Sequence, residues 1–371
     1  MKDFNAGTDI QQINYKSFQP DFINRNWALD DMEIIQLLSQ ANRALGKLDM
    51  YSEYVPNTDL FIQMHVAKEA TQSSRIEGTQ TNMEEAVLSK SDITSNRLDD
   101  WEEVQNYIAA MNFAIERLNS LPISSRLIKE THEILLQGVR GENKQSGNFR
   151  NSQNWIGGAT LKDASFIPPV HHSVSDLMGD LEKFIHNEIN LFPELLKIAL
   201  VHYQFGTIHP FLDGNGRIGR LLITLYLVEK GILKRPVLYL SDFFEQHRSH
   251  YFDNLMRVRR SNDLTQWFKF FLVGIIQTAE KAIQTFDNIL KLRAELDTEI
   301  LKFGKRAVTI QLVMNYLYQQ PTIDVEKVKE LTGLSMASNY KIINELVELN
   351  ILKKKNGGGT YIFSRYIELF G

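Results

Sequence analysis

Apolar positions recur at spacings of three and four along most of the chain. Ile34, Leu37, Leu38, Ala41 and Leu45 form one stripe, and Trp101, Val104, Ile108, Met111 and Ile115 form another, so each predicts an amphipathic helix. Helix starts are predicted at Ser124, just after Pro122, and at Ser173, ahead of Leu177, Leu181 and Ile185. Leu195 to Phe205 is apolar on nearly every side, the pattern of a helix buried inside a bundle. From Leu29 to about Phe303 the chain therefore reads as helix broken by short loops. It closes on a long charged helix from about Leu264 to Leu301.

One interval breaks the pattern. Asn148 to Val170 is rich in Gly, Asn and aromatic residues and ends on a Pro pair, which predicts a hairpin or an extended flap. Its short strands are expected at Trp155-Ile156 and Phe166-Ile167. Beyond a loop at Lys302 to Lys305, helices fit Ile310 to Tyr318, Val325 to Leu331 and Ser335 to Leu349. ILKKK, a Gly357-Gly358-Gly359 turn and TYIFSR then pair as a β-hairpin. That order is the order of a winged helix-turn-helix. The fold class is thus mainly α, a helical bundle with a β-hairpin flap and a C-terminal winged helix-turn-helix. The expected regions are an N-terminal helical region at 1-100, a helical core at 101-301, and the winged helix-turn-helix domain at 302-371.

Composition narrows the classes. The 371 residues allow two or three domains and a sizeable core. With 43% hydrophobic and 23% charged residues the chain is an ordinary globular one. Its 41 basic and 45 acidic side chains give a net charge of -4, which argues against gripping nucleic acid as the main task. There is no cysteine, which excludes disulfides, thiolate metal sites and cysteine nucleophiles. The first residues contain no apolar signal core, and no apolar run approaches the roughly 18 residues a membrane span needs. A cytoplasmic protein without a membrane span is expected.

The chemistry concentrates in His209-Pro-Phe-Leu-Asp213-Gly214-Asn215-Gly216-Arg217-Ile-Gly-Arg220, ahead of an amphipathic helix that runs to about Glu229 and is capped by Gly231. Small residues at a helix start leave backbone N–H groups bare, and these groups with the helix dipole bind phosphate. Arg217 and Arg220 share a helix face and can grip further phosphate oxygens. Asp213 is placed to hold a divalent cation such as Mg²⁺ on a polyphosphate. His209 can accept a proton from an attacking hydroxyl near neutral pH. A lone His or a lone GNG would be an ordinary structural loop; the whole string specifies phosphoryl-type transfer. No GxxxxGK[ST] loop is present, which argues against ordinary P-loop ATPase chemistry, and His171-His172 lacks partners at metal-ligand spacing.

The string resembles, without a departure, the Fic family signature HxFx(D/E)GNGRxxR. The resemblance implies a mostly helical Fic fold and transfer of AMP from ATP to a Ser, Thr or Tyr hydroxyl of a protein, or of the chain itself. Carried over by position, it makes His209 the base and Asp213 the Mg²⁺ (or Mn²⁺) ligand. Gly214, Asn215 and Gly216 become the anion hole, Arg217 the β-phosphate partner, Arg220 the γ-phosphate partner, and Phe211 the anchor in the core. Asn148 to Pro169 resembles the family's flap, which holds a target backbone by strand addition, with Trp155, Ile156, Gly157 and Phe166 as docking residues. Tyr251 and Leu255 stand where members wall the adenine.

Ser73-Ser-Arg-Ile-Glu77-Gly78 is similar to the family's inhibitory motif (S/T)xxxE(G/N), with Ser73 and Glu77 one helical turn apart. The resemblance implies that Glu77 pairs with Arg220 where the γ-phosphate would sit. Removal of AMP, or another nucleotide donor, is the alternative within the enzyme class. From another class, the winged helix suggests a DNA-binding regulator in which Asn339 reads an adenine edge. Val325 to Asn350 carries a slight acidic excess, however, with Lys353 to Lys355 the clear phosphate-contact candidate, so a protein partner or a homodimer is favoured over DNA.

Overall fold

The computed structural model describes residues 4–54, 58–139, 144–189, 191–355 and 358–371. The chain opens on an antiparallel hairpin, β1 (Gly7–Gln11) and β2 (Lys16–Pro20), in the register Asp9 opposite Phe18 and Gln11 opposite Lys16. The helices α1 (Met32–Tyr54), α2 (Thr58–Ile76), α3 (Met83–Ala86), α4 (Leu98–Arg117) and α5 (Ser125–Leu135) follow. After the flap come α6 (Val174–Ile185), α7 (Glu194–Ile208), α8 (Asn215–Glu229), α9 (Ser241–Gln246), α10 (Arg248–Ser261) and α11 (Leu264–Leu301). The C-terminal region contains α12 (Ala307–Gln319), β3 (Thr322–Ile323), α13 (Val325–Thr332), α14 (Met336–Glu348), β4 (Lys353–Lys354), β5 (Tyr361–Ile362) and α15 (Ser364–Ile367). Its small sheet has the order β3-β5-β4.

Local chemistry sets the boundaries. The Ser124 hydroxyl accepts from the Leu127 N–H at the start of α5, and the Asp263 carboxylate accepts from the Gln266 N–H at the start of α11. Ser173 stands at the start of α6, but its side chain makes no capping bond. Gly231, at φ 63°, ends α8 as the spacing predicts.

Helix α7 lies in the middle of the bundle, as its all-round apolar character predicts, and it buries several polar groups as well. Each is satisfied. Lys197 Nζ donates to Asn187 O at 3.0 Å, His202 Nδ1 lies 2.8 Å from Gly219 O on α8, and Trp267 Nε1 donates to Ala199 O at 2.8 Å. Packing of α7 on α8 is close at Gly219, where a Cβ would meet the Phe205 ring at 3.2 Å.

Three features depart from the sequence reading. The β1–β2 hairpin is not foreseen by it; Phe18 N donates to Ile167 O at 2.9 Å, so β2 lies along the flap. The flap's two short strands reduce to a single antiparallel bridge, Ile156 with Phe166. Asn339, the residue expected to read a base edge, is fully buried: its Oδ1 accepts from Thr332 Oγ1 at 2.8 Å and its Nδ2 donates to Leu334 O at 3.1 Å. It stitches α13 to α14, and its amide faces no solvent.

The C-terminal region shares a core with α2. Phe61 packs against Tyr318 and Tyr366, with ring centroids 5.7 and 6.4 Å away, and His65 lies 5.0 Å from the Phe370 ring. Val87 O accepts from Gln320 Nε2 at 2.7 Å and from Thr322 Oγ1 at 3.1 Å. Gly357, the first glycine of the predicted turn, lies outside the described residues. Among the described residues no helix is long and apolar enough to cross a membrane.

Candidate active site

The site is a loop held rigidly between α7 and α8. Helix α7 ends in His209, whose backbone is left-handed at φ 52° and whose N–H donates to Phe205 O at 2.9 Å. Gly214, at φ 75°, turns the chain into α8. Between them Phe211 is buried, its ring stacked on His132 at 3.7 Å and 7°. His132 Nδ1 accepts from the Gly147 N–H at 3.0 Å, so Nε2 carries the proton and donates to Asp213 O at 3.0 Å. The Asn215 side chain brackets Phe211, accepting from its N–H and donating to its carbonyl, each at 2.8 Å. Flap residues tie the same loop: Arg150 Nε donates to His209 O at 2.9 Å and Asn154 Nδ2 to Phe211 O at 2.8 Å. The loop carbonyls are thereby turned away, and the open amides of α8 face a cavity.

That cavity measures about 430 Å³. His209, Gly216 and Arg220 line it from the signature loop, Tyr251 and Leu255 from α10, and Glu77 from the end of α2. The flap contributes Ile156, Gly157 and Phe166. Trp155 points elsewhere and keeps 38% of its surface exposed. Arg217 is buried outside the cavity, with Nη1 3.2 Å from Glu103 Oε2 and Nη2 3.5 Å from Asp213 Oδ1.

Arg220 is almost fully buried and has three partners. Its Nε donates to Ser73 Oγ at 2.8 Å, and its Nη2 donates to Ser73 O at 2.8 Å and to Glu77 Oε1 at 2.6 Å. The Glu77 carboxylate also sits over Gly216, so close that a Cβ there would lie 2.1 Å from Oε1. A carboxylate thus occupies the amino end of α8, where the helix dipole favours an anion. Burial pushes the Glu77 carboxyl upward, but Arg220, with Arg217 and His209 beyond it, outweighs that and holds it below its ordinary value.

His209 is half-buried, and burial together with Arg259 and Arg150 lowers its pKa to about 4. Its Nδ1 lies 3.4 Å from Gly206 O, which leaves Nε2 as the proton acceptor in the Nδ1–H tautomer. Tyr251 is anchored from behind, donating from its hydroxyl to His202 Nε2 at 2.9 Å. Asp213 Oδ1 accepts from the Gly214 N–H at 2.6 Å, while Oδ2 lies 3.5 Å from Lys144 Nζ.

Several residues at the site escape sequence reasoning. Glu103 sits beside a predicted apolar stripe and nothing in its spacing marks it as the partner of Arg217. Arg150 and Arg259 gain their meaning only when the flap, α7 and α10 are folded together. Among the described residues no group of three or more His, Asp and Glu side chains is arranged to hold a metal ion.

The fold is a helical bundle in which a Gly-containing loop joins two central helices beside a flap. The model of the Fic/DOC family N-terminal region matches residues 35–116, and that of the Fic/DOC family matches 122–227. The chain belongs to the Fic/DOC family. It is 31% identical over 182 residues to the protein adenylyltransferase Fic of Aedes aegypti, covering 48% of this chain and 33% of that protein. Against the protein of the same name from Drosophila mojavensis it is 26% identical over 272 residues, 68% of this chain and 49% of that one. The chain spans about a third to a half of the length of these curated relatives. Among solved structures, a Fic family protein from Desulfovibrio desulfuricans G20 superposes with a TM-score of 0.59 at 18% identity, covering 91% of this chain and 98% of that one. Fic-1 from C. elegans superposes with a TM-score of 0.50 at 19% identity, covering 70% and 73%.

Proposed function

We propose that the chain transfers AMP from ATP to a hydroxyl of a target protein, or of itself, and that Glu77 holds it in an inhibited state. The observation that carries this reading is the Glu77 carboxylate seated at the amino end of α8 on Arg220. It occupies, with the right sign of charge, the place that a phosphate of the nucleotide needs. The relatives named protein adenylyltransferase point to AMP as the group transferred.

In the reaction the acceptor hydroxyl attacks the α-phosphorus and its proton passes to Nε2 of His209. The new O–P bond forms as the bond to the β-phosphate oxygen breaks, and pyrophosphate leaves. The bare amides of Asn215 and Gly216 hold the phosphate oxygens, joined by the Gly214 amide if it turns from Asp213 Oδ1, and Arg220 neutralises the γ-phosphate once Glu77 has moved away. Arg217 supports the β-phosphate side and orients Asp213. Tyr251 and Leu255 wall the base, and the flap holds the target backbone beside His209. A single carboxylate suits Mg²⁺, which prefers one or two protein oxygens with phosphates and water making up the rest; Oδ2 of Asp213, 3.5 Å from the exposed Lys144 ammonium, would supply that donor. When bound, Mg²⁺ would neutralise charge on the leaving phosphates. The region after Lys302 serves in this reading as a winged-helix module that supports α2 and takes a protein partner.

Intact-mass measurement after incubation with ATP, with and without Mg²⁺, tests the reading on the protein itself and on lysate proteins. Addition of one AMP, dependent on Mg²⁺ and absent in His209→Ala, is expected. Conversion of ATP without any AMP adduct would overturn it.

A further inference from the structure

Beside the catalytic cavity runs a second groove of about 450 Å³, between the β1–β2 hairpin, the flap and α10. The two share Ser165, Phe166, Met256 and Arg259 and so lie side by side. The hairpin faces the groove with alternate residues: Gly7 and Asp9 from β1, Lys16 and Phe18 from β2. The charges that line it are Lys16, Arg259 and Arg260 against Asp9 alone. No ion pair joins any of these four to another described residue.

Arg259 is the most unusual of them. Its guanidinium lies over the Phe166 ring, 3.9 Å from the centroid, so it is fixed against the flap. Nε donates to Thr207 Oγ1 at 3.1 Å and Nη2 to Gly206 O at 3.2 Å, which ties it to the last turn of α7 before His209. These are neutral acceptors. A cation drawn away from water is ordinarily matched by an anion, and desolvation here lowers the Arg259 pKa to about 10. The matching anion is not supplied by the described residues of the chain.

We propose that this groove binds an acidic segment of the target protein, placing Asp or Glu side chains on Lys16, Arg259 and Arg260 next to the acceptor hydroxyl. The inference rests on the transferase reading and specifies its substrate class. Strand geometry supports a peptide in this position. Phe18 already takes the Ile167 carbonyl on one edge of the flap, so the groove meets a flap that is braced on that side. A target segment that pairs with the flap near Gly157 passes Arg259 as it leaves the cavity, and then meets Arg260 and Lys16. Each contact is a charge-assisted pair at a partly desolvated rim, and such rims set specificity and association rate.

The test is direct binding of fluorescein-labelled serine peptides, flanked either by Asp and Glu or by Lys, to the full chain without nucleotide. Anisotropy at low and high salt should show the acidic peptide bound at least tenfold more tightly, with the preference shrinking at high salt. The double variant Lys16→Glu with Arg260→Glu, both exposed positions outside the catalytic cavity, should lose or invert that preference; Arg260→Gln alone should halve it or more. Equal binding of the two peptides, or an acidic preference untouched by these changes, would overturn the proposal. So would tighter competition by a random-sequence oligonucleotide than by the acidic peptide, since that marks a nucleic-acid groove. Adding Mg²⁺-ATP to the same mixtures separates the two readings. AMP transfer without acidic preference defeats only the groove; acidic preference without any transfer defeats only the transferase.

Discussion

Arg220 Nη2 lies 2.6 Å from Glu77 Oε1, joining two residues 143 positions apart at the amino end of α8. One cation there can neutralise either a carboxylate or a γ-phosphate. Glu77→Gly should therefore raise AMP transfer. The glutamate keeps 40% of its side-chain surface open, so screening trims the pair to about 1–2 kcal/mol, or a gain of roughly five- to thirtyfold. Combining it with Arg220→Ala should return most of that gain, since both residues act through the same phosphate. Incorporation of labelled ATP by the four proteins of the cycle is the measurement. Unchanged transfer by Glu77→Gly would remove simple inhibition. If that variant instead loses removal of AMP from a modified target, Glu77 positions a water for the reverse-direction chemistry.

His209→Ala should abolish transfer while the nucleotide still binds, because the phosphate contacts belong to other residues. The fold should survive at modest cost. What the loop needs from residue 209 is its carbonyl, which Arg150 and Asn154 hold, and a left-handed backbone at φ 52°. Alanine at that φ costs about 1 kcal/mol, and asparagine, which tolerates the left-handed region, should cost less. Thermal melts of His209→Ala and His209→Asn beside the transfer assay check both points. Wild-type transfer by either would show that another group takes the proton.

The signature loop was legible because its chemistry is written in consecutive residues, and α7 and α11 were legible because their patterns are long and unambiguous. Ser73 and Glu77 lie one turn apart, so their common face was legible too, while their seat on α8 depends on folding. What escaped the sequence depends on pairing between distant segments. The β1–β2 hairpin has a single buried face supplied by the flap, and Thr8, Asp9, Gln11 and Gln12 give it no strong apolar alternation. Asn339 has the exposed-polar look of a recognition residue, yet its amide is consumed within the turn between α13 and α14. A short polar side chain can serve a solvent face or a buried stitch equally well, and only packing decides.

Acid should destabilise the fold well above the carboxylate range. His65, His132 and His202 are buried, and desolvation lowers them from 6.5 to about 3, about 4 and about 4. The unfolded chain protonates these groups first, so their contribution is complete above pH 6.5 and is lost as pH falls towards 4. At pH 5 each costs on the order of 2 kcal/mol. Glu69, whose carboxyl is pushed up by burial, works in the opposite direction and offsets part of this. Calorimetry should record a Tm at pH 5 lower than at pH 7 by roughly 5 °C or more. A Tm that is flat or rising over that interval would contradict buried neutral histidines.

The C-terminal residues should stiffen the helix that carries Glu77. Phe370 is fully buried against Tyr366 and His65, with centroids 5.4 and 5.0 Å away, although it stands next to the last residue of the chain. His65 lies two helical turns before Ser73 on α2, so the loss of this ring loosens the shared core below the inhibitory turn. Phe370→Ala should cost about 3 kcal/mol, within the range for a fully buried phenylalanine. Hydrogen exchange separates this account from a merely local loss. Amides of α2 from Phe61 to Ser73 should exchange faster in the variant, while those at the centre of α7 stay protected. If the melt drops but α2 keeps its wild-type protection, the C-terminal region stabilises itself without supporting the inhibitory helix, and no control of Glu77 passes through it.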